Sequence, residues 1–194
     1  MLSKIGLVVL ASVLVSLAVS AAPHEHGKGQ LLIAQDGNNW RFEFILPGAD
    51  LLGFEHKPSD INEQQQARIF IDKVERHTQI LTVPSACKVI NTDHVLDSEL
   101  GMPSKNSHVK NEHAHTHSDK HGSQQHEQDL DTHQQSHIDI RFTYIVNCSQ
   151  TEPTFNIGLF ALAPSLHAIE AQWITQQGQG ASVLHANTST LSFN

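Results

Sequence analysis

The sequence predicts an α+β domain, mainly antiparallel β and sandwich-like, with one long amphipathic helix and a long disordered histidine-rich loop inserted between strands. Three observations predict it. Apolar residues recur at every second position in several short stretches, as in Trp40, Phe42, Phe44 and Leu46 and again in Ile138, Ile140, Phe142, Tyr144 and Val146, which is the period of a half-buried strand. One stretch, through Ala67, Phe70, Ile71, Val74 and Leu81, recurs at three and four, the period of an amphipathic helix. Between Gly101 and His137 neither period survives. Strands that do not alternate with helices point to antiparallel pairing rather than to βαβ units.

Taken in order, the chain starts with Lys4, an apolar run over residues 5–19 and the small residues Ser20, Ala21 and Ala22. That is the pattern of a secretory signal peptide, residues 1–21, cut near Ala21 or Ala22. The run falls short of the ~20 apolar residues of a membrane-spanning helix, so no membrane insertion is expected after cleavage. Residues 22–194 remain as one exported domain.

Residues 28–35 and 39–46 read as two strands joined by Asp36-Gly37-Asn38, a hairpin signal. Pro47-Gly48 breaks the second, and residues 49–56 form a short turn or helical piece. Ser59 or Asp60 caps the long helix, with Glu63 at capping-box spacing from Asp60. Gln64, Gln65, Gln66, Arg68, Lys73 and Glu75 fall on its wet side, and Pro84 ends the pattern. Residues 87–95 look like a strand, 138–148 like a strong one, and 155–162 like a buried strand or short helix. Ile169, Ala171 and Trp173 alternate with Glu170 and Gln172 in another, closed by Gly178 and Gly180. Residues 183–193 make a final, weaker strand.

The chemistry concentrates in residues 101–137, which carry eight of the 15 histidines: His108, His113, His115, His117, His121, His126, His133 and His137. Glu112, Asp119, Glu127, Asp129 and Asp131 lie among them. Neutral imidazole is a good ligand for zinc, copper and nickel, and carboxylates complete a zinc shell. His113, His115 and His117 share one side of an extended chain, whereas His117 and His121, or His133 and His137, share a helix face. Several Zn²⁺ ions are therefore expected, with Cu²⁺ or Ni²⁺ as alternatives. Ordering such a loop costs entropy, which lowers the affinity of each site.

Cys87 and Cys148 are the two cysteines of an exported chain, which predicts a disulfide closing the base of the histidine segment, with two free thiols or two metal ligands as the competing readings. A net charge of -8, with 12 Lys and Arg scattered along the chain, provides no basic patch for nucleic acid or an anionic membrane. It suits a cationic partner. No HExxH helix and no GxSxG elbow occurs, so the reading is a binding protein, not an enzyme. His77, His94, His167 and His185 stand singly and are read as structural.

Outside the loop, His24-Glu25-His26-Gly27 is an HxH pair near the mature N-terminus, and His56 ends Gly53-Phe54-Glu55-His56. The blocks HEHG at residues 24–27 and PGADLLGFEHKP at 47–58 resemble those of the ZrgA-type periplasmic zinc-uptake protein family. So do the glutamine-rich helix start, the Asn147-Cys148 strand end and LFALAPSLHAIEAQWITQQGQGA at 159–181. The resemblance covers nearly all of the mature chain apart from the histidine loop. It implies a periplasmic protein that assists zinc uptake with an ABC-type inner-membrane importer. It also makes His24, His26 and His56 metal-site candidates, with Glu55 a ligand or the orienter of an imidazole. A passive periplasmic metal buffer or detoxification protein is the alternative, and a zinc hydrolase the third reading.

Overall fold

The computed structural model describes residues 25–102 and 137–193. The expected signal peptide, His24, and the loop histidines His108, His113, His115, His117, His121, His126 and His133 lie outside the described residues. Among the described residues no helix is long and apolar enough to cross a membrane.

Strands β1 (Lys28–Asp36) and β2 (Asn39–Pro47) form the expected hairpin, pairing from Gln30↔Ile45 to Asp36↔Asn39. Gly37 sits at φ 57° in its two-residue turn, a conformation that favours glycine. Pro47 then feeds a five-residue helix, α1 (Gly48–Leu52), which ends at Gly53 in the left-handed conformation, φ 82°. The long helix α2 (Ile61–Arg76) starts at Asp60, whose carboxylate accepts the N–H groups of Asn62 at 2.7 Å and Glu63 at 2.9 Å. The Glu63 carboxylate accepts from the Ser59 N–H and hydroxyl, so the capping box reaches back one residue further than the expected pairing with Asp60.

Ala67, Phe70, Ile71 and Val74 form the buried stripe of α2. Leu81 is buried but is not helical: the helix stops at Arg76, His77 turns the chain at φ 49°, and Leu81 opens the short strand β3 (Leu81–Thr82). A residue seven positions beyond Val74 keeps the helical period by coincidence, because the chain doubles back there. Next come β4 (Cys87–His94), a four-residue helix α3 (Leu96–Glu99), and the strong strand β5 (Asp139–Cys148). The segment expected to be strand or helix is both, β6 (Phe155–Ile157) followed by α4 (Leu159–Leu162). Strand β7 (Ala168–Ile174) follows. The single weak strand expected over residues 183–193 is instead two, β8 (Gln179–Leu184) and β9 (Thr190–Leu191), in different sheets. An isolated bridge between His185 and Thr188 turns the chain between them.

The six-stranded sheet runs β4-β5-β2-β1-β7-β8 and a three-stranded sheet runs β3-β6-β9. All pairs are antiparallel except β1 with β7. That parallel pair joins distant parts of the chain, so no local pattern announces it. The inner face of the large sheet carries Leu31, Ile33, Trp40, Phe42, Phe44, Phe142 and Tyr144. Phe155 of the small sheet packs against Trp40 and Phe42, with ring centroids 5.7 and 4.7 Å away. On the same face, α2 lays Phe70 6.2 Å from Phe142, and the Tyr144 hydroxyl donates to the Val74 carbonyl at 2.8 Å. Gly180 faces Trp173 across β7 and β8, where a Cβ would come within 2.5 Å of the indole.

Cys87 and Cys148 are disulfide-bonded and stand directly opposite each other across β4 and β5, Cα atoms 4.1 Å apart. The bond does not close the base of the histidine segment as expected. Strand β5 has ten residues, spanning roughly 30 Å; the segment rejoins the fold at one end of it and the disulfide clamps the other.

Candidate metal centre

Three side chains from distant parts of the sequence converge where β1, α1 and β5 begin or end. His26 lies in the turn before β1, closed by the Lys28 N–H donating to the Glu25 carbonyl at 3.1 Å. Glu55 follows the reversal at Gly53 and the buried Phe54. His137 is the last residue before the alternation of β5 takes hold, and its neighbour Ile138 is tied to α1 by the Gly48 N–H at 2.7 Å.

The Glu55 carboxylate lies between the two imidazoles. Its Oε1 is 3.1 Å from His26 Nε2 and its Oε2 is 2.6 Å from His137 Nδ1. The rings stand edge to face, centroids 6.3 Å apart. One donor atom from each residue lies within 4.8 Å of the others. Tetrahedral zinc with ligands at ~2.1 Å asks for donor atoms roughly 3.4 Å apart, so the three donors would have to draw together to share one ion. Two imidazoles and a carboxylate are also a donor set that zinc accepts. The side chains of His26 and His137 are 63% and 52% exposed, that of Glu55 27%. The cluster therefore opens outward, above a floor of Pro47, Ile138 and Asp139. A tetrahedral ion held by these three donors would keep a fourth position for water or another ligand.

Of the sequence candidates, the structure gathers His26, Glu55 and His137. It does not bring His56 to them. The His56 ring stacks on Phe54 with centroids 5.4 Å apart, its Nδ1 lies 2.9 Å from the Lys57 carbonyl, and its Nε2 is 3.7 Å from a Glu63 oxygen. The GFEH block thus contributes its glutamate to the cluster rather than its histidine. His137 was one of eight loop histidines with nothing in composition to distinguish it. The usable signal was its position, the last residue before the strand pattern of Ile138 and Ile140.

Three of the four single histidines serve the backbone or lie against it. His77 ends α2, His185 Nδ1 lies 2.9 Å from the His167 carbonyl, and the His167 ring lies over Gly27. His94 sits at the end of β4 with its Nδ1 buried and without a hydrogen-bond partner among the described residues. A wider hollow on the outer face of the large sheet is lined by Leu32, Ile174, Gln172, Arg41 and Glu43. Its two charged groups pair with each other at 3.1 Å, and it holds no histidine.

No curated protein matches the chain. The family model for ZrgA family zinc uptake proteins matches residues 23–193, which includes His26, Glu55 and His137. The chain belongs to the ZrgA family, a family of zinc-uptake proteins and not of enzymes.

Proposed function

We propose that the protein is a periplasmic zinc-binding component of an uptake system, in which the histidine-rich segment gathers Zn²⁺ and the scaffold centre His26–Glu55–His137 holds it for a membrane importer. One observation carries this reading: two imidazoles and a carboxylate that are far apart in sequence lie with donor atoms within 4.8 Å, in a chain of a zinc-uptake family. The exposure of both imidazoles supports exchange rather than permanent storage, because an incoming donor reaches the ion without unfolding the site. His137 also belongs to both parts, as the last residue of the histidine segment and a member of the centre. Zinc captured by the segment has a short route to the scaffold.

Zinc displaces protons from imidazole, so binding releases protons and affinity falls as the medium is acidified. The direct test is a zinc titration against a competing chelator, comparing the intact protein with a His26→Ala/His137→Ala variant. Loss of the tightest sites, with weaker ones retained, is the expected result. An unchanged tight class sinks the scaffold centre. A growth experiment separates uptake from the alternative of a passive buffer: cells lacking the protein should fail when zinc is scarce, and failure only in zinc excess would favour the buffer.

A further inference from the structure

Asp50 is the only charged side chain among the buried described residues, at 8% exposure. Burying a carboxylate is costly unless it is hydrogen-bonded. It lies in the first turn of α1, yet its Oδ2 accepts a hydrogen bond from across the fold, the N–H of Gly27 at 2.7 Å. Gly27 immediately follows His26, and it is clamped from the other side as well. Its carbonyl accepts from the His167 and Ala168 N–H groups at 2.7 and 3.0 Å. Its φ is +78°, and a Cβ there would meet the His167 ring at 2.8 Å. Asp50 therefore holds a turn that few other sequences would adopt.

The same helix places the other two members of the centre. The Gly48 N–H donates to the Ile138 carbonyl beside His137, and a Cβ on Gly48 would lie 2.7 Å from that oxygen. At the helix's other end, Gly53 reverses the chain into Phe54 and Glu55. Of these three links, only the one to His26 depends on a side chain.

We propose that Asp50 is the positioning residue of the metal centre, fixing His26 opposite Glu55 through its bond to the Gly27 N–H. This rests on the reading of His26, Glu55 and His137 as the zinc site. The carboxylate acts through the backbone of residue 27, so its effect is on where the His26 imidazole can reach. Outer partners that orient metal ligands are worth roughly 10–100-fold in affinity, and that is the scale expected here.

The test titrates full-length protein with zinc against a competing chelator. Asp50→Ala should weaken the tightest site by roughly 10–100-fold, leaving the weaker zinc equivalents and the far-ultraviolet circular dichroism of the metal-free protein unchanged. Asp50→Asn keeps an acceptor oxygen at the same reach and should restore binding close to that of the parent. Wild-type affinity in Asp50→Ala overturns the proposal, and so do equal losses in both variants, which trace the effect to charge rather than to the bond. If Asp50→Ala fails to fold, the native protein decides. Coupling between sites is reciprocal, so zinc must slow hydrogen exchange at the Gly27 amide, and unchanged exchange overturns the proposal. Ring-nitrogen resonances of His26 and His137 in the native protein separate the two ideas. If zinc leaves them unmoved, the zinc site itself is misplaced. If zinc shifts them while Asp50→Ala binds normally, only the role of Asp50 falls.

Discussion

Glu55 and His56 are neighbours in the chain with opposite fates, and the difference lies in what each side chain can reach. The turn after Gly53 buries Phe54, aims Glu55 at His26 and His137, and leaves His56 stacked on Phe54. Replacing Glu55 with Gln keeps the shape but removes the charge that faces both imidazoles. Zinc affinity of the tight site should fall by at least the roughly 10–100-fold that loss of an outer partner costs, whereas His56→Ala should leave it unchanged. Chelator-competition titration of the two variants checks this, and a larger loss in His56→Ala would move the centre. The family blocks made His26 and Glu55 legible in the sequence. They also raised His56, because a motif identifies a neighbourhood without showing which way consecutive side chains point. His137 was legible only as one donor among many, since its partner lies 82 positions away.

At the scale of elements, the strands with clean alternation, such as β2 and β5, could be read directly, because each buries one face. The short pieces could not. β3 and β9 have two residues each, too few to show a period, and they exist through their pairing with β6. Helix α2 was legible at its start, where Asp60 caps the Asn62 and Glu63 N–H groups. Asp60→Ala should lower unfolding stability by about 1 kcal/mol, measured by denaturant titration, with zinc binding unaffected. The Glu63 carboxyl is held below its usual range chiefly by the Ser59 N–H, then by the Ser59 hydroxyl. A carboxyl depressed on folding adds stability that is present above its unfolded pKa and lost as pH falls through the folded value. The melting-temperature gap between the wild type and Glu63→Gln should therefore close as pH drops below the ordinary carboxylate range. Across the core, the phenol of Tyr144, which burial pushes well above its usual pKa, ties β5 to α2 through Val74. Tyr144→Phe should cost about 1 kcal/mol. The loss stays that small because the Val74 carbonyl keeps a second donor, the His77 N–H at 3.2 Å.

At the scale of the whole molecule, the stabilising crosslink and the candidate centre sit at opposite ends of β5. The Cys87–Cys148 bond closes a ring with a sequence separation of 61, which by chain entropy stabilises the fold by about 4 kcal/mol less any native strain. Its reduction should lower the melting temperature without displacing zinc from the tight site. The same geometry changes where the histidine segment must be cut to learn what it does. A cut placed by composition, over residues 101–137, removes His137 together with the other seven loop histidines. A cut over residues 103–136, replaced by a short Gly-Ser linker, keeps His137 at the head of β5. Shortening the loop lowers its closure entropy by only about 0.6 kcal/mol per halving, so neither cut should unfold the core. The shorter deletion should bind fewer zinc equivalents yet keep the tight site, and the longer one should lose the tight site as well. Identical titrations for the two proteins would show that His137 contributes nothing beyond its share of the segment, and the scaffold centre would have to be abandoned. A difference confined to the tight class assigns gathering to the segment and holding to the scaffold.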